Sequence, residues 1–208
     1  MAKRIAVDLH YFPNLEFFAA IADADELIFF PEDIYQRQSY FNRTEIRLAN
    51  KVGTLSVPIQ GRRPKIALNR IKISNDQNWV NIHLRGIQSA YGKAPFYEYY
   101  FPYFETVFEQ KLESLWDLNW QMLTICLKLL RMPVKMRVHE QGQEQTWAED
   151  IRGQLMPSVP FSERDYYHPE SYFQLFGLDF DPNLSIMDLL FCEGPASKSI
   201  ILKSIKKH

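Results

Sequence analysis

The first thirty residues limit the fold most. Arg4–Leu9 (RIAVDL) is a short, mostly apolar, β-prone run, and it breaks at His10-Tyr11-Phe12-Pro13-Asn14. Pro13 suits the first position of a helix, where its missing N–H would have no partner anyway. Glu16 follows in the first turn, where the helix dipole favours negative charge. Leu15, Phe17, Phe18 and Ile21 then recur at helical spacing up to Ala22. Glu26–Phe30 (ELIFF) reads as a second, fully buried strand. Strand, short helix and strand make a βαβ unit, whose strands run parallel and whose crossover is right-handed. The fold class expected is α/β: a Rossmann-like sheet with flanking helices and a helical C-terminal half.

The rest of the chain fits one domain over residues 1–208. Ile46–Leu48 and Thr54–Ile59 read as strands around the turn Asn50-Lys51-Val52-Gly53, and Ala67–Ile73 alternates like another strand. Asn78–Ser89 has helical spacing. The longest helical pattern lies within 95–132: a helix from Pro102, then a second over Trp120–Leu130, with Asn119 as its cap and a stop before Pro133. Residues 133–160 are polar and loop-like, and 138–160 is the candidate mobile loop. A short helix is expected at Ser185–Phe191, with Asn183 or Ser185 its cap and Asp188 the acidic member of a capping box.

Composition removes several function classes. Lys plus Arg number 24 against 25 Asp plus Glu, so no global field invites nucleic acid. The basic stretch Arg62, Arg63, Lys65, Arg70 and Lys72 reads as a solvated face. Two cysteines, Cys126 and Cys192, are too few for a disulfide framework and fit a reducing compartment. No apolar run approaches the roughly 20 residues that span a bilayer, and Asp8 and His10 interrupt the N-terminal stretch too early for a signal peptide. A cytoplasmic protein without a transmembrane segment is expected. The histidines at 10, 83, 139, 168 and 208 show no metal-ligand spacing. Neither a glycine-rich phosphate loop nor a G-x-S-x-G elbow is present. The residues name no cofactor and no oligomeric state.

Four places remain where chemistry is expected. The turn at His10–Asn14 ends a strand and opens a helix, which suits an anion such as phosphate, with His10 as donor or acid/base and Asn14 beside it. The segment Arg37, Gln38, Ser39, Asn42 and Arg43 follows the second strand and offers guanidinium forks and specific hydrogen-bonders to phosphate or carboxylate. Trp79 and His83 share a helical face, with Tyr91 and Lys93 beyond. Asp188 is the fourth. Each has a plain structural alternative: capping for Asn14, a solvated edge for 35–43, core packing for Trp79.

These segments resemble the WbqC-like protein family of bacteria. The matching pieces are HYFPNLEFFAAIADAD, YQRQSYFNRTEI and LSVPI, then W-x-x-x-H at 79–83, AYGKAPFYEYY, YFQLFG, PNLSIMDLLF and EGP. They keep one order and span nearly the whole chain. The resemblance implies a link to surface-polysaccharide and O-antigen gene clusters, and modification of amino sugars by acyl or aminoacyl transfer. It carries His10, Pro13, Asn14, Gln38, Asn42, Arg43, His83, Tyr91 and Asp188 as site positions. Cys192 departs from the Asn expected in relatives, which argues against a thiol mechanism. A fainter likeness joins the first strand and turn to nucleotidylyltransferases of the HIGH type, although the H-x-G-H motif is missing.

The functional expectation is a transferase with a small-molecule substrate, a nucleotide-linked amino sugar. Arg37 and Arg43 would hold the diphosphate, His10 or His83 would act as general base, and Asp188 would join the catalytic group. The alternatives are a non-catalytic scaffold of envelope assembly, using the aromatic tail from Tyr166-Tyr167-His168-Pro169, and an ATP-dependent nucleotidyl or aminoacyl transfer enzyme.

Overall fold

The computed structural model describes residues 2–61, 65–140, 142, 147–177 and 179–206. Arg62 and Arg63 of the basic stretch, His208, and residues 141 and 143–146 of the expected loop lie outside that set.

A four-stranded parallel sheet organises the molecule. Strands β1 (Arg4–Ala6) and β2 (Glu26–Phe29) pair in parallel, Ile5 opposite Leu27, and are joined by helix α1 (Leu15–Ala20). The βαβ unit is therefore present, and the coarse expectation of an α/β protein with flanking helices holds. Its apolar residues are sealed on both faces, as parallel sheets require: Ile5, Leu27 and Phe29 are fully buried.

A two-stranded antiparallel sheet follows, β3 (Arg43–Arg47) against β4 (Val52–Ser56). Three helices come next: α2 (Trp79–Tyr91), α3 (Tyr97–Glu109) and α4 (Leu115–Leu129). Strands β5 (Lys135–Val138) and β6 (Glu149–Asp150) then complete the parallel sheet in the order β5-β2-β1-β6. Helices α5 (Ile186–Glu193) and α6 (Ser197–Lys203) close the chain, and α5 is buried from Ile186 to Cys192.

Five sequence expectations are corrected. The 133–160 stretch supplies both edge strands. Its residues are polar because edge strands this short bury little: in β5 only Met136 is even partly covered. Ala67–Ile73 is no strand; a 3-10 turn at Leu68–Arg70 interrupts it, leaving single bridges from Ala67 to Ile34 and from Ile73 to Ile59. Helix α3 begins at Tyr97 and carries the exposed Pro102 in its second turn. Asn119 caps nothing. Ser114 caps α4, accepting from Asp117 N at 3.2 Å, while Asn119 sits buried mid-helix. Asp188 is no capping-box partner either: Ser185 caps α5, accepting from Met187 N, while the Asp188 carboxylate is bound elsewhere.

Candidate functional site

In open α/β sheets, ligands bind beyond the carboxyl ends of the strands, where the strand order reverses. Here β1 connects to β2 on one side, while β6 joins β1 on the other. A hollow of about 230 Å³ opens at that edge, lined by Asp8, Asp33, Ile34, Gln36, Phe41, Arg152 and Gly153.

Each residue is placed by a strand end. Val7 continues the pairing of β1, donating to Ile28 O at 3.1 Å, so Asp8 emerges just past the sheet. Ile151 N donates to Ala6 O at 2.9 Å, which brings Arg152 and Gly153 alongside. The N–H of Gly153 then donates to Asp8 Oδ2 at 2.6 Å. Gly153 sits at φ +70°, a conformation that costs a residue with a side chain about 1 kcal/mol. Buried Asn119 holds the back wall, its Nδ2 donating to Leu9 O at 3.0 Å and Phe41 O at 2.7 Å. Those two carbonyls follow Asp8 and belong to Phe41, so one amide ties two walls of the hollow together.

The electrostatics are uneven. Arg152 gives Nε and Nη2 to Asp150 at 3.0 and 2.7 Å, and Nη1 to both oxygens of Asp33 at 3.0 and 3.1 Å. Its carbon Cζ lies 3.7 Å from the centre of the Phe30 ring. His139 packs on Phe30 at 4.4 Å, and Trp147 meets both rings edge-on at 5.2 and 5.6 Å. The guanidinium is thus immobilised and saturated by two carboxylates. It does not neutralise Asp8, whose pKa burial pushes up to about 6, with Asp33 and Asp150 adding to the rise and Gly153 N–H and Arg152 opposing it. Burial also raises Asp33, while its hydrogen bonds to Arg152 lower Asp150. Three carboxyl groups face one cation, and the hollow carries net negative charge near neutral pH. Among the described residues no set of three His, Cys, Asp or Glu is arranged to hold a metal ion.

The sequence-predicted residues fall in other environments. His10 is buried among Phe17, Tyr40 and Phe41 with Nδ1 unpaired, and burial drives its pKa down to about 3. The imidazole lies beneath those rings and is not among the residues that line the hollow at the sheet edge. The helix N-terminus beside it is also occupied. Asn14 Oδ1 takes Phe17 N at 3.1 Å, Leu184 O takes Leu15 N at 3.1 Å, and Asn183 Oδ1 takes Glu16 N at 2.8 Å. The N–H groups of Leu15, Glu16 and Phe17 are thus taken, and Asn14 is a cap.

His83 is buried, its Nδ1 sharing a hydrogen with the Tyr11 hydroxyl at 2.9 Å, and burial lowers its pKa to about 4. Asp188 is sealed under Tyr172 Oη at 2.7 Å and Gln174 Nε2 at 3.0 Å. Tyr91 is buried and accepts from Arg47 N at 3.2 Å. His10, His83 and Asp188 therefore share no cleft. Asn42 braces the turn, accepting from Tyr35 Oη at 2.9 Å and donating to Val57 O at 2.8 Å. Ser39 closes it by donating to Gln36 O at 2.6 Å. Arg37, Gln38 and Lys93 are exposed, and Arg43 is half-buried. The 36–42 turn does reach the hollow, but through Gln36 and Phe41. Within the aromatic tail Tyr167 is buried against Phe161, while Phe173 is 59% exposed.

The family model of the WbqC-like protein family matches residues 9–156. The chain belongs to the WbqC-like family. It is also 23% identical, over 93% of its length and 95% of the relative's, to the uncharacterized protein Rv1507c of Mycobacterium tuberculosis (strain ATCC 25618 / H37Rv). No solved structure matches it. The matched span covers Asp8's neighbours from Leu9 onward, Asp33, Phe41, Asn119, Arg152 and Gly153. Among the described residues of this WbqC-like chain, no helix is long and apolar enough to cross a membrane.

Sequence reasoning missed Asp8, Asp33, Asn119, Asp150, Arg152 and the Phe30–His139–Trp147 cluster. One signal was available: in an α/β chain, the polar residue that ends an apolar strand points to the ligand edge, and Asp8 is that residue.

Proposed function

We propose that this WbqC-like protein is a group transferase acting on the amine of a nucleotide-linked amino sugar, by acyl or aminoacyl transfer, in bacterial surface-polysaccharide assembly. We read its sheet as Rossmann-like, of the nucleotidylyltransferase type, with the sugar at the carboxyl edge. The observation that carries the proposal is Asp8: a carboxyl with its pKa near 6 in a net-anionic hollow. Such a group is ionised at neutral pH yet basic enough to take a proton, which is what a general base needs. The anionic surroundings favour an ammonium group over a phosphate. As the amine nitrogen bonds to the acyl carbon, Asp8 accepts the proton the nitrogen loses, and the acyl carrier departs with the bonding pair. Gly153 N–H holds this carboxyl, and Asn119 ties the backbone beside it to Phe41. Exposed Arg37 and half-buried Arg43 remain the candidates for the diphosphate, outside the hollow.

The test is calorimetric titration with a UDP- or TDP-linked amino sugar and with its N-acetylated counterpart. The free amine is expected to bind about tenfold tighter, a difference of about 1.4 kcal/mol. That preference disappears in Asp8→Asn and below pH 6. Equal affinity for amine and amide, with Asp8→Asn unchanged, overturns the proposal.

A further inference from the structure

A second hollow, of about 490 Å³, lies where the start of α2 meets the end of α3, and it shares no lining residue with the first. Its floor is apolar, built from Trp79, Val80, Leu84 and Phe108. Its rim carries four primary amides, Asn75, Gln77, Asn78 and Asn81. The two charged lining residues, Glu109 and Lys111, cancel.

The amides have spare capacity. Asn75 Oδ1 takes the indole N–H of Trp79 at 3.1 Å, and Asn81 Nδ2 donates to Asn78 Oδ1. No described residue takes the amide hydrogens of Asn75 and Asn78, donates to the Asn81 carbonyl or pairs with either end of Gln77, and all four residues are exposed. The mouth therefore offers both free donors and free acceptors. The first turn of α2 adds to them: Asn78 makes no side-chain cap, and the turn holds no acidic residue.

We infer that this hollow is a binding site for a neutral, polyhydroxylated ring, a pyranose residue of a saccharide. The C–H face of a pyranose covers an apolar floor, while its vicinal hydroxyls each give and take a hydrogen bond, which a side-chain amide answers with one donor and one acceptor. A phosphate would meet one lysine already balanced by a glutamate. A cation would meet one carboxylate, Glu109, already balanced by Lys111. The site is independent of the Asp8 proposal and stands or falls separately.

The experiment is an NMR titration of the ¹⁵N-labelled full chain with methyl glucoside, N-acetylglucosamine and maltotriose. Adenosine and inorganic phosphate serve as comparison probes. The Trp79 indole resonance is assigned from Trp79→Phe. A saccharide is expected to shift that indole and the amide groups of Asn75, Asn78 and Asn81, saturating with a Kd of about 1 mM. The Gly153 resonance should stay in place. The double variant Gln77→Ala/Asn81→Ala, altered only at exposed positions, should weaken binding at least fivefold with an unchanged spectrum elsewhere. The inference is overturned if no saccharide shifts these resonances, if the double variant binds as well as the parent, or if adenosine or phosphate saturates them at lower concentration.

Discussion

Asp8 keeps its carboxyl in an unfavourable place, and the strain should be measurable. Its folded pKa, about 6, lies above the ordinary 3.8. A raised acid stabilises the fold while protonated, and that contribution is lost as pH rises from about 4 to about 6. The shift corresponds to at most about 3 kcal/mol at neutral pH, since one unit is worth about 1.4 kcal/mol. Asp8→Asn keeps an acceptor for Gly153 N–H and removes the charge, so it should raise stability by about 1–3 kcal/mol at pH 7 while abolishing activity. Thermal unfolding at pH 4 and pH 7 checks this: the gain should appear at pH 7 and vanish at pH 4. The buried histidines act in the opposite sense. His10 and His83 are lowered to about 3 and about 4, so the folded state excludes their protons and stability falls as pH drops through 6.5. His10→Leu should make that acid loss shallower in a urea series between pH 6.5 and 4; an unchanged slope would mean His10 is not buried neutral. At this scale the residue type was legible but its surroundings were not. A histidine after a strand reads as catalytic until Phe17, Tyr40 and Phe41 are seen closing over it.

The elements were legible where local pattern decides them. Helix α1 carries its signals within ten residues, and the strands on either side are apolar runs. The edge strands β5 and β6 carry no such signal, because β5 leaves three of its four residues exposed and β6 is two residues long. Pairing with β2 and β1 makes them strands, and pairing is not written in either segment. Asn119 was misread for a related reason: its partners, Leu9 O and Phe41 O, lie 110 and 78 residues away. One tertiary contact fixes how α1 meets the C-terminal part of the chain. Glu16, fully buried in α1, takes Arg164 Nε and Nη2 at 2.6 and 2.5 Å, and Arg164 Nη1 also donates to Val159 O at 2.6 Å. Removing one partner of a buried pair strands a charge, at about 3–5 kcal/mol. Arg164→Met should cost that much in urea denaturation. Adding Glu16→Leu to it should return most of the loss, whereas additive losses would mean the two side chains are not coupled.

The hollow at the sheet edge belongs to the whole molecule. Asp8, Asp33, Phe41 and Arg152 come from three connections, those after β1, β2 and β6, and they meet only after β6 has docked on β1. No local spacing announces such a set, which is why the sequence singled out His10, two residues on, and not Asp8. Loosening the edge should loosen the site. Asn119→Ala frees two carbonyls inside the core, and an orphaned buried polar group costs about 1–3 kcal/mol. Amino-sugar affinity should fall with it, while a variant of the exposed Lys93 leaves affinity unchanged.

The decisive measurement is the NMR titration of the Asp8 carboxyl carbon, in the free protein and with the amine-bearing sugar nucleotide bound. A midpoint near pH 6 that moves down when the ammonium group binds is the predicted result. A midpoint near 4, unmoved by the ligand, would contradict it.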